Sequence, residues 1–282
     1  MPETNINVTS AYQKVQYVAE ATWGAGGTPT TELGSLNVNP AVKLGAQKFT
    51  GRGFTLPSAV STGREEVSLD FDGPATYEEM CEFVKSIVSD AQLSAVPSYA
   101  LQAGGLLTIG AIVDSWKIEG DTQSVKVSGT FVGKSATAAA PQSLTSPGTL
   151  TPILNKHVTI EIDGTPVTDV FKWSVGASGM WGLNFFVGSA AAGGVCQKLI
   201  DASFDLSFEA NAANLALLDE DGEVPVEITL SDGVSTITIE FNAVRQEPEP
   251  FADNDGVYGY GIKYAIMNAE TAAITITPPA AP

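Results

Sequence analysis

The chain has 282 residues, of which 44% are hydrophobic and only 16% charged, a balance that builds packed cores and excludes wholesale disorder. Its length exceeds one comfortable hydrophobic core and suits two modest domains. A formal net charge of -18 excludes a basic footprint for gripping nucleic acid, though an acidic protein can still enclose DNA without holding it.

In chain order, Met1-Pro2-Glu3-Thr4-Asn5 carries neither the basic nor the apolar region of a secretory signal. No stretch approaches the roughly 18 uninterrupted apolar residues of a membrane helix, so a soluble chain of cytoplasmic origin is expected. Asn7-Val8-Thr9 fits a glycosylation acceptor, a match without meaning unless the chain is secreted. Gly24-Ala25-Gly26-Gly27 lacks the following Lys-Ser/Thr of a phosphate loop and reads as a flexible bend. Residues 28–63 scatter Gly and Pro among short strand signals, the pattern of a long irregular loop or interaction arm.

From residue 67 onward the β-strand dominates. Runs rich in Val, Ile, Thr and Phe recur at 67–71, 106–113, 125–132, 158–162, 171–175, 183–187, 202–208, 226–230, 236–241 and 258–267. Asp163-Gly164, Asp232-Gly233 and Asp255-Gly256 mark hairpin turns between them. Val158-Thr159-Ile160-Glu161-Ile162 and Ile237-Thr238-Ile239-Glu240-Phe241 alternate cleanly, placing one face on a core and the other toward solvent or a partner.

Helix is scarce. The best candidate spans 75–89, with Thr76 as cap, Glu79 closing a capping box, and Tyr77, Met80, Cys81, Val84, Ile87 and Val88 on one face. A shorter one spans 210–218 and ends in Asp219-Glu220-Asp221-Gly222. Between the halves, 136–152 is a run of Ala, Pro, Ser and Thr that reads as a linker. The tail from residue 277 is expected to fray.

The two halves repeat a pattern. Val67-Ser68-Leu69-Asp70-Phe71 matches Ala202-Ser203-Phe204-Asp205-Leu206, and 125–131 matches 258–264 at nearly the same offset. Each half therefore reads as a β-sandwich or partial barrel with one short helix. The boundaries are 1–140 for the first unit with its N-terminal arm, 141–155 for the linker, and 156–282 for the second unit.

Chemical motifs are sparse. His157 is the single histidine, which leaves little material for a His-based zinc site or a Ser-His-Asp arrangement; it reads as a solvated strand-end residue. Asp253-Asn254-Asp255-Gly256 has the alternating oxygens that open a calcium loop, but the later acidic ligand is missing, so Asp253 and Asp255 are weak metal candidates beside a plain Asx turn. Asp219, Glu220 and Asp221 read as a solvated corner. Asp70 and Asp72 share a strand face, and paired carboxylates can do acid/base work. The repeat sets Asp205 at the position of Asp70, which favours a structural, lumen or interface role for all three. Cys81 and Cys196 sit in unlike contexts and are expected as free thiols. No cofactor is expected.

Tyr17-Val18-Ala19-Glu20-Ala21-Thr22-Trp23-Gly24, the strand-turn-helix run 67–88, and Trp116-Lys117-Ile118-Glu119-Gly120 leading into 125–134 resemble the major tail tube proteins of long, non-contractile bacteriophage tails. The second half, from Phe171-Lys172-Trp173-Ser174-Val175 through 202–214 to 258–269, resembles them again. The likeness implies a structural, non-enzymatic virion protein made of tandem tail-tube-like β units. Such a protein is assembled in the host cytoplasm and forms stacked rings around a channel for double-stranded DNA, which it does not bind specifically. The resemblance further implies a tape-measure protein, a tail terminator and baseplate or tip proteins as partners, and no membrane. Two units per chain would close a pseudo-six-fold ring with three copies, a homotrimer; a hexamer is the alternative. Acidic and small polar side chains are expected to face the lumen. The rival readings are a surface or adhesive β-sandwich protein and a carboxylate-based enzyme.

Overall fold

The computed structural model describes residues 14–49, 59–84, 87–88, 97–187, 189–198, 200–217, 222–246, 249–254, 257–267 and 272–279. The chain begins with β1 (Val15–Ala19), β2 (Thr31–Leu33), β3 (Asn37–Phe49), β4 (Ala59–Pro74), α1 (Met80–Phe83), β5 (Ile87–Val88), β6 (Tyr99–Ala103), β7 (Leu106–Gly120), β8 (Val125–Gly133) and β9 (Ser135–Ala138). It continues with β10 (Val158–Ile162), β11 (Thr165–Pro166), β12 (Val170–Ser178), β13 (Trp181–Asn184), β14 (Gly194–Gln197) and β15 (Asp201–Glu209). Then come α2 (Ala212–Ala216), β16 (Glu223–Ser231), β17 (Thr236–Arg245), β18 (Glu249–Asn254), β19 (Val257–Ile266) and β20 (Ala272–Thr277). The protein is mainly β and its sheets are antiparallel.

Local chemistry sets the hairpins. Asp163 and Gly164 both have positive φ, 49° and 70°, which is the backbone of the tight two-residue turn that joins β10 to β11. At the β16–β17 turn Asp232 accepts from the amides of Val234 and Ser235 at 2.8 and 2.7 Å.

The pairing order recurs along the chain. In the first half β2 pairs β1, β1 pairs β6, β6 pairs β7, β7 pairs β8, β8 pairs β4 and β4 pairs β3. In the second half the same order reads β11, β10, β16, β17, β19, β15, β12. β9 lies along the start of β7 as β20 lies along β17. Even the registers agree with the sequence match: Asp70 faces Thr130, and Asp205 faces Lys263.

Two pairings tie the halves together. β12 pairs the end of β7, with Trp173 opposite Gly120, Val175 opposite Ile118 and Ala177 opposite Trp116. β20 reaches back to pair β5. Inside, buried residues of both halves form one apolar cluster. Phe71, Phe83, Tyr99 and Phe131 pack around one another in the first half, mostly edge to face at centroid separations of 4.8–6.4 Å. Phe204 sits between Phe241 and Tyr264 in the second.

Several expectations need correction. The helix expected over 75–89 shrinks to α1, because Ile87 and Val88, β-branched residues, join a ladder with β20 instead. Thr76 Oγ1 does accept from the Glu79 amide at 3.3 Å, but the Glu79 carboxylate turns away to another loop. The second helix runs from 212 to 216 and is capped by Asn211, whose side chain accepts from the Asn214 amide. Most of the described part of 28–63 is strand rather than loop: β3 pairs β4 from Asn37–Asp72 to Phe49–Ala59. Pro40 masked this signal, yet it is tolerable on an edge strand. The strand expected over 183–187 is β13 and ends at Asn184.

The 136–152 run is no free linker. Residues 135–138 form β9, and Gln142 exchanges two hydrogen bonds with the Gln16 side chain, at 2.7 and 2.8 Å. Further on, Ile153 is buried and its amide donates to the Ala75 carbonyl while its carbonyl accepts from Val125. Small and polar residues here serve a strapped, extended segment whose backbone groups are satisfied by neighbours.

Candidate functional site

The most extensive chemical feature is one face of a sheet shared by both halves, in the order β3, β4, β8, β7, β12, β15, β19. Period-two alternation sends Leu69, Phe71, Val127, Phe131, Trp116, Ile118, Trp173, Val175, Phe204 and Leu206 into the core. The intervening residues form the other face. Across one row stand Asn37, Asp72, Ser128, Lys117, Gly176, Ser203 and Ala265; across the next, Lys126, Glu119, Ser174, Asp205 and Lys263. A shallow depression in this face is lined by Asp70, Asp72, Lys117, Ser174, Asp201 and Asp205, with small residues between.

The carboxylates are held by sheet neighbours. Thr130 Oγ1 donates to Asp70 Oδ1 at 3.0 Å, and Ser174 Oγ donates to Asp205 Oδ2 at 3.4 Å. Lys117 Nζ pairs with Glu119 at 2.8 Å. That bond first, and the charges of Lys172 and Lys126 after it, hold the Glu119 carboxyl below the usual carboxylate range despite partial burial.

Asp70, Asp72 and Asp205 therefore share one surface, as the alternation implied, but Asp205 does not converge with the two on β4. Asp70 on β4 and Asp205 on β15 are four strand spacings apart, about 19 Å at the usual ~4.8 Å between strands. A carboxylate dyad needs a far closer approach. The lysines at 117, 126, 172 and 263 were missed in the sequence reading; each sits at an outward position of an alternating strand, a signal that was available.

The other sequence candidates lie elsewhere. Asp253 belongs to β18; Asp255 and the Asp219-Glu220-Asp221 corner fall outside the described residues. Among the described residues no three His, Cys, Asp or Glu side chains cluster as metal ligands. Cys81 and Cys196 are not joined in a disulfide. His157 ends a short 3-10 turn (Asn155–His157); its Nδ1 accepts from the Leu154 amide at 3.4 Å and lies 3.5 Å from the Tyr77 hydroxyl. It is half-buried and hydrogen-bonded rather than solvated.

Two acidic residues turn out to be loop clasps. Glu20 accepts from the amides of Gly24, Gly26 and Gly110 at 2.8, 2.9 and 3.0 Å and from Ser98 Oγ at 2.8 Å, so the glycine run is wrapped around a carboxylate rather than flexible. Glu79, 5% exposed, accepts from the amides of Gly34 and Ser35, both at 2.8 Å, and from Ser35 Oγ. Neither was legible, because the partners are 4 to 90 residues away in sequence.

A separate hairpin, β13 paired with β14, projects between β12 and β15. Its tip leaves Phe186 and Val187 exposed. The same connecting loop docks beside β4, where the Glu65 amide donates to the Ala190 carbonyl and the Arg64 guanidinium lies 4.7 Å from the Phe185 ring centre.

No protein-family model matches the chain, and no curated protein matches it.

Proposed function

We propose that this chain is a structural virion protein: a tail tube subunit of a long, non-contractile bacteriophage tail, built of two tandem tail-tube-like units. Copies of it stack as rings on a tape-measure protein, meeting a terminator at one end and tip proteins at the other. The observation that carries this reading is the continuous seven-strand wall, closed by one core behind and presenting serines, glycines, threonine and carboxylates in front.

Such a wall suits a moving polyanion. Its side chains are short, and its acids, Asp70, Asp72, Glu119, Asp201 and Asp205, are spread among Lys117, Lys126, Lys172 and Lys263 rather than opposed by a basic patch. Each unpaired cation facing DNA would add counterion-release binding and slow its passage; here Lys117 is paired with Glu119 and Lys263 stands opposite Asp205. Asp70 and Asp205 stand too far apart to act together as a carboxylate pair. Two units per chain favour a trimeric ring with pseudo-six-fold symmetry.

Negative-stain microscopy of concentrated protein, with native mass measurement of the assembled species, tests this. Rings or tubes whose repeat contains three chains are expected; a six-chain repeat would replace the trimer with a hexamer. A protein that stays monomeric under assembly conditions and does not co-purify with virions overturns the reading.

A further inference from the structure

Inside the chain, the free edge of one half has already found a partner. β12 pairs β15 on one side and the end of β7 on the other. The strand that holds the place of β12 in the first half is β3, which pairs only β4 among the described residues.

The strand that holds the place of the end of β7 is β18. β7 skips one residue between Val113–Phe131 and Ser115–Thr130 and then runs on along β8. Along β19, β17 ends with Arg245 opposite Tyr264, and β18 resumes with Glu249 opposite Gly261, again a shift of one residue. β15 occupies the other side of β19, so β17 and β18 follow one another along the same side. Among the described residues β18 pairs only β19. The same two edges thus meet once within the molecule, and among the described residues they have no further partner at its two ends.

We infer that β3 of one copy pairs antiparallel with β18 of the next, with Asn39 opposite Phe251. The register follows from equivalent positions. Asn39 faces Asp70 as Ser174 faces Asp205, Phe251 faces Gly259 as Glu119 faces Lys126, and Ser174 faces Glu119 in the internal seam. Val38 then stands opposite Ala252, Pro40 opposite Pro250 and Ala41 opposite Glu249.

Two features of the residues favour this register. In the internal seam Trp173 stands against Gly120, where an added Cβ would lie 2.2 Å from the indole Nε1; in the proposed seam the smaller Val38 stands against Ala252, so a smaller side chain meets a larger partner. Opposing Pro40 to Pro250 also confines the missing amide donors to one pair, whereas any slip spreads them over two. A contact that joins two different edges is heterologous and propagates from copy to copy until it closes. This deepens the tube reading and rests on it for the existence of a ring; it adds which edges make the ring and in what register.

The test uses cysteines in a full-length Cys81→Ser, Cys196→Ser background. Asn39→Cys and Phe251→Cys are made as separate proteins, mixed one to one under assembly conditions and treated with a mild oxidant. A reducible dimer that forms in the mixture at least tenfold more than in either protein alone is expected. The single protein Glu119→Cys, Ser174→Cys is the geometric control and should bridge internally. Rings or tubes by microscopy with no mixed dimer overturn the seam and leave the tube reading standing. Absence of any assembly, with the internal control bridged, overturns both.

Discussion

Gly120 and Trp173 make the sharpest test of how the halves are joined. Replacing Gly120 by Ala puts a Cβ 2.2 Å from the Trp173 Nε1 and 2.6 Å from its Cε2, and the indole, 1% exposed, has no room to withdraw. Overpacking of this kind costs about 1–3 kcal/mol, offset by roughly 0.4–1 kcal/mol because Ala restricts the unfolded chain. A net loss of about 1–2 kcal/mol is expected. Trp173→Val removes most of a buried ring and should cost about 3 kcal/mol, near the low end for large aromatic truncations. In the double variant the clash no longer exists and the new methyl group fills part of the space. The losses should therefore fall short of additivity by about 1–2 kcal/mol, a coupling typical of residues in contact. Urea unfolding followed by far-UV circular dichroism measures all four proteins. Additivity within about 0.5 kcal/mol would falsify the claim that this pair sets the β7–β12 seam.

The remaining predictions concern the polar groups. Glu79→Gln replaces one acceptor oxygen by a donor facing the Gly34 or Ser35 amide, and should cost about 2–3 kcal/mol, the range for hydrogen bonds to a charged group; a change below about 0.5 kcal/mol in urea unfolding would mean the clasp is not used. The Glu119 carboxyl is held low by Lys117, so its contribution is present above the ordinary value of 4.5 and is lost as pH falls through its lower folded value; Lys117→Met should move the Glu119 titration midpoint up toward 4.5, read by side-chain NMR. The stability at stake is below about 1 kcal/mol, since both side chains are partly exposed, and an unmoved midpoint refutes the pairing. Burial pushes the hydroxyl of Tyr77 up to about 12. Burial likewise raises Tyr17, helped by its 2.5 Å bond to Glu82, and Tyr99. Stability from these neutral phenols is full below about 10 and lost as pH rises through the folded values, so an ultraviolet titration should show them ionising only together with loss of circular dichroism. Smooth ionisation of every tyrosine near pH 10 in a folded protein contradicts this. Glu20→Ala should speed hydrogen exchange at the Gly24, Gly26 and Gly110 amides by at least about tenfold, as expected for losing roughly 1.4 kcal/mol or more of local protection; unchanged exchange would show that the glycine loop holds itself.

The class of fold, the alternation that separates core from polar face, the Asp163-Gly164 turn and the correspondence of 67–71 with 202–206 were all set by local pattern. Such features depend on a period of two and on backbone preferences within a few residues, which a single sequence carries in full. What the tertiary structure decided was which edge meets which. Ile87 and Val88 have helical spacing with Met80 and Val84, yet a ladder with β20 outweighs it. Pro40 reads as a break, yet β3 pairs only β4 among the described residues and tolerates it. Glu79 reads as half of a capping box, yet its carboxylate, like that of Glu20, takes amides delivered by chain segments up to 90 residues distant. The placing of Asp70 and Asp205 on one wall, but about 19 Å apart, likewise depends on β8, β7 and β12 entering between them. Strand order is a long-range choice made by side-chain fit, here the indole of Trp173 over Gly120, and the sequence alone holds the residues but not their meeting.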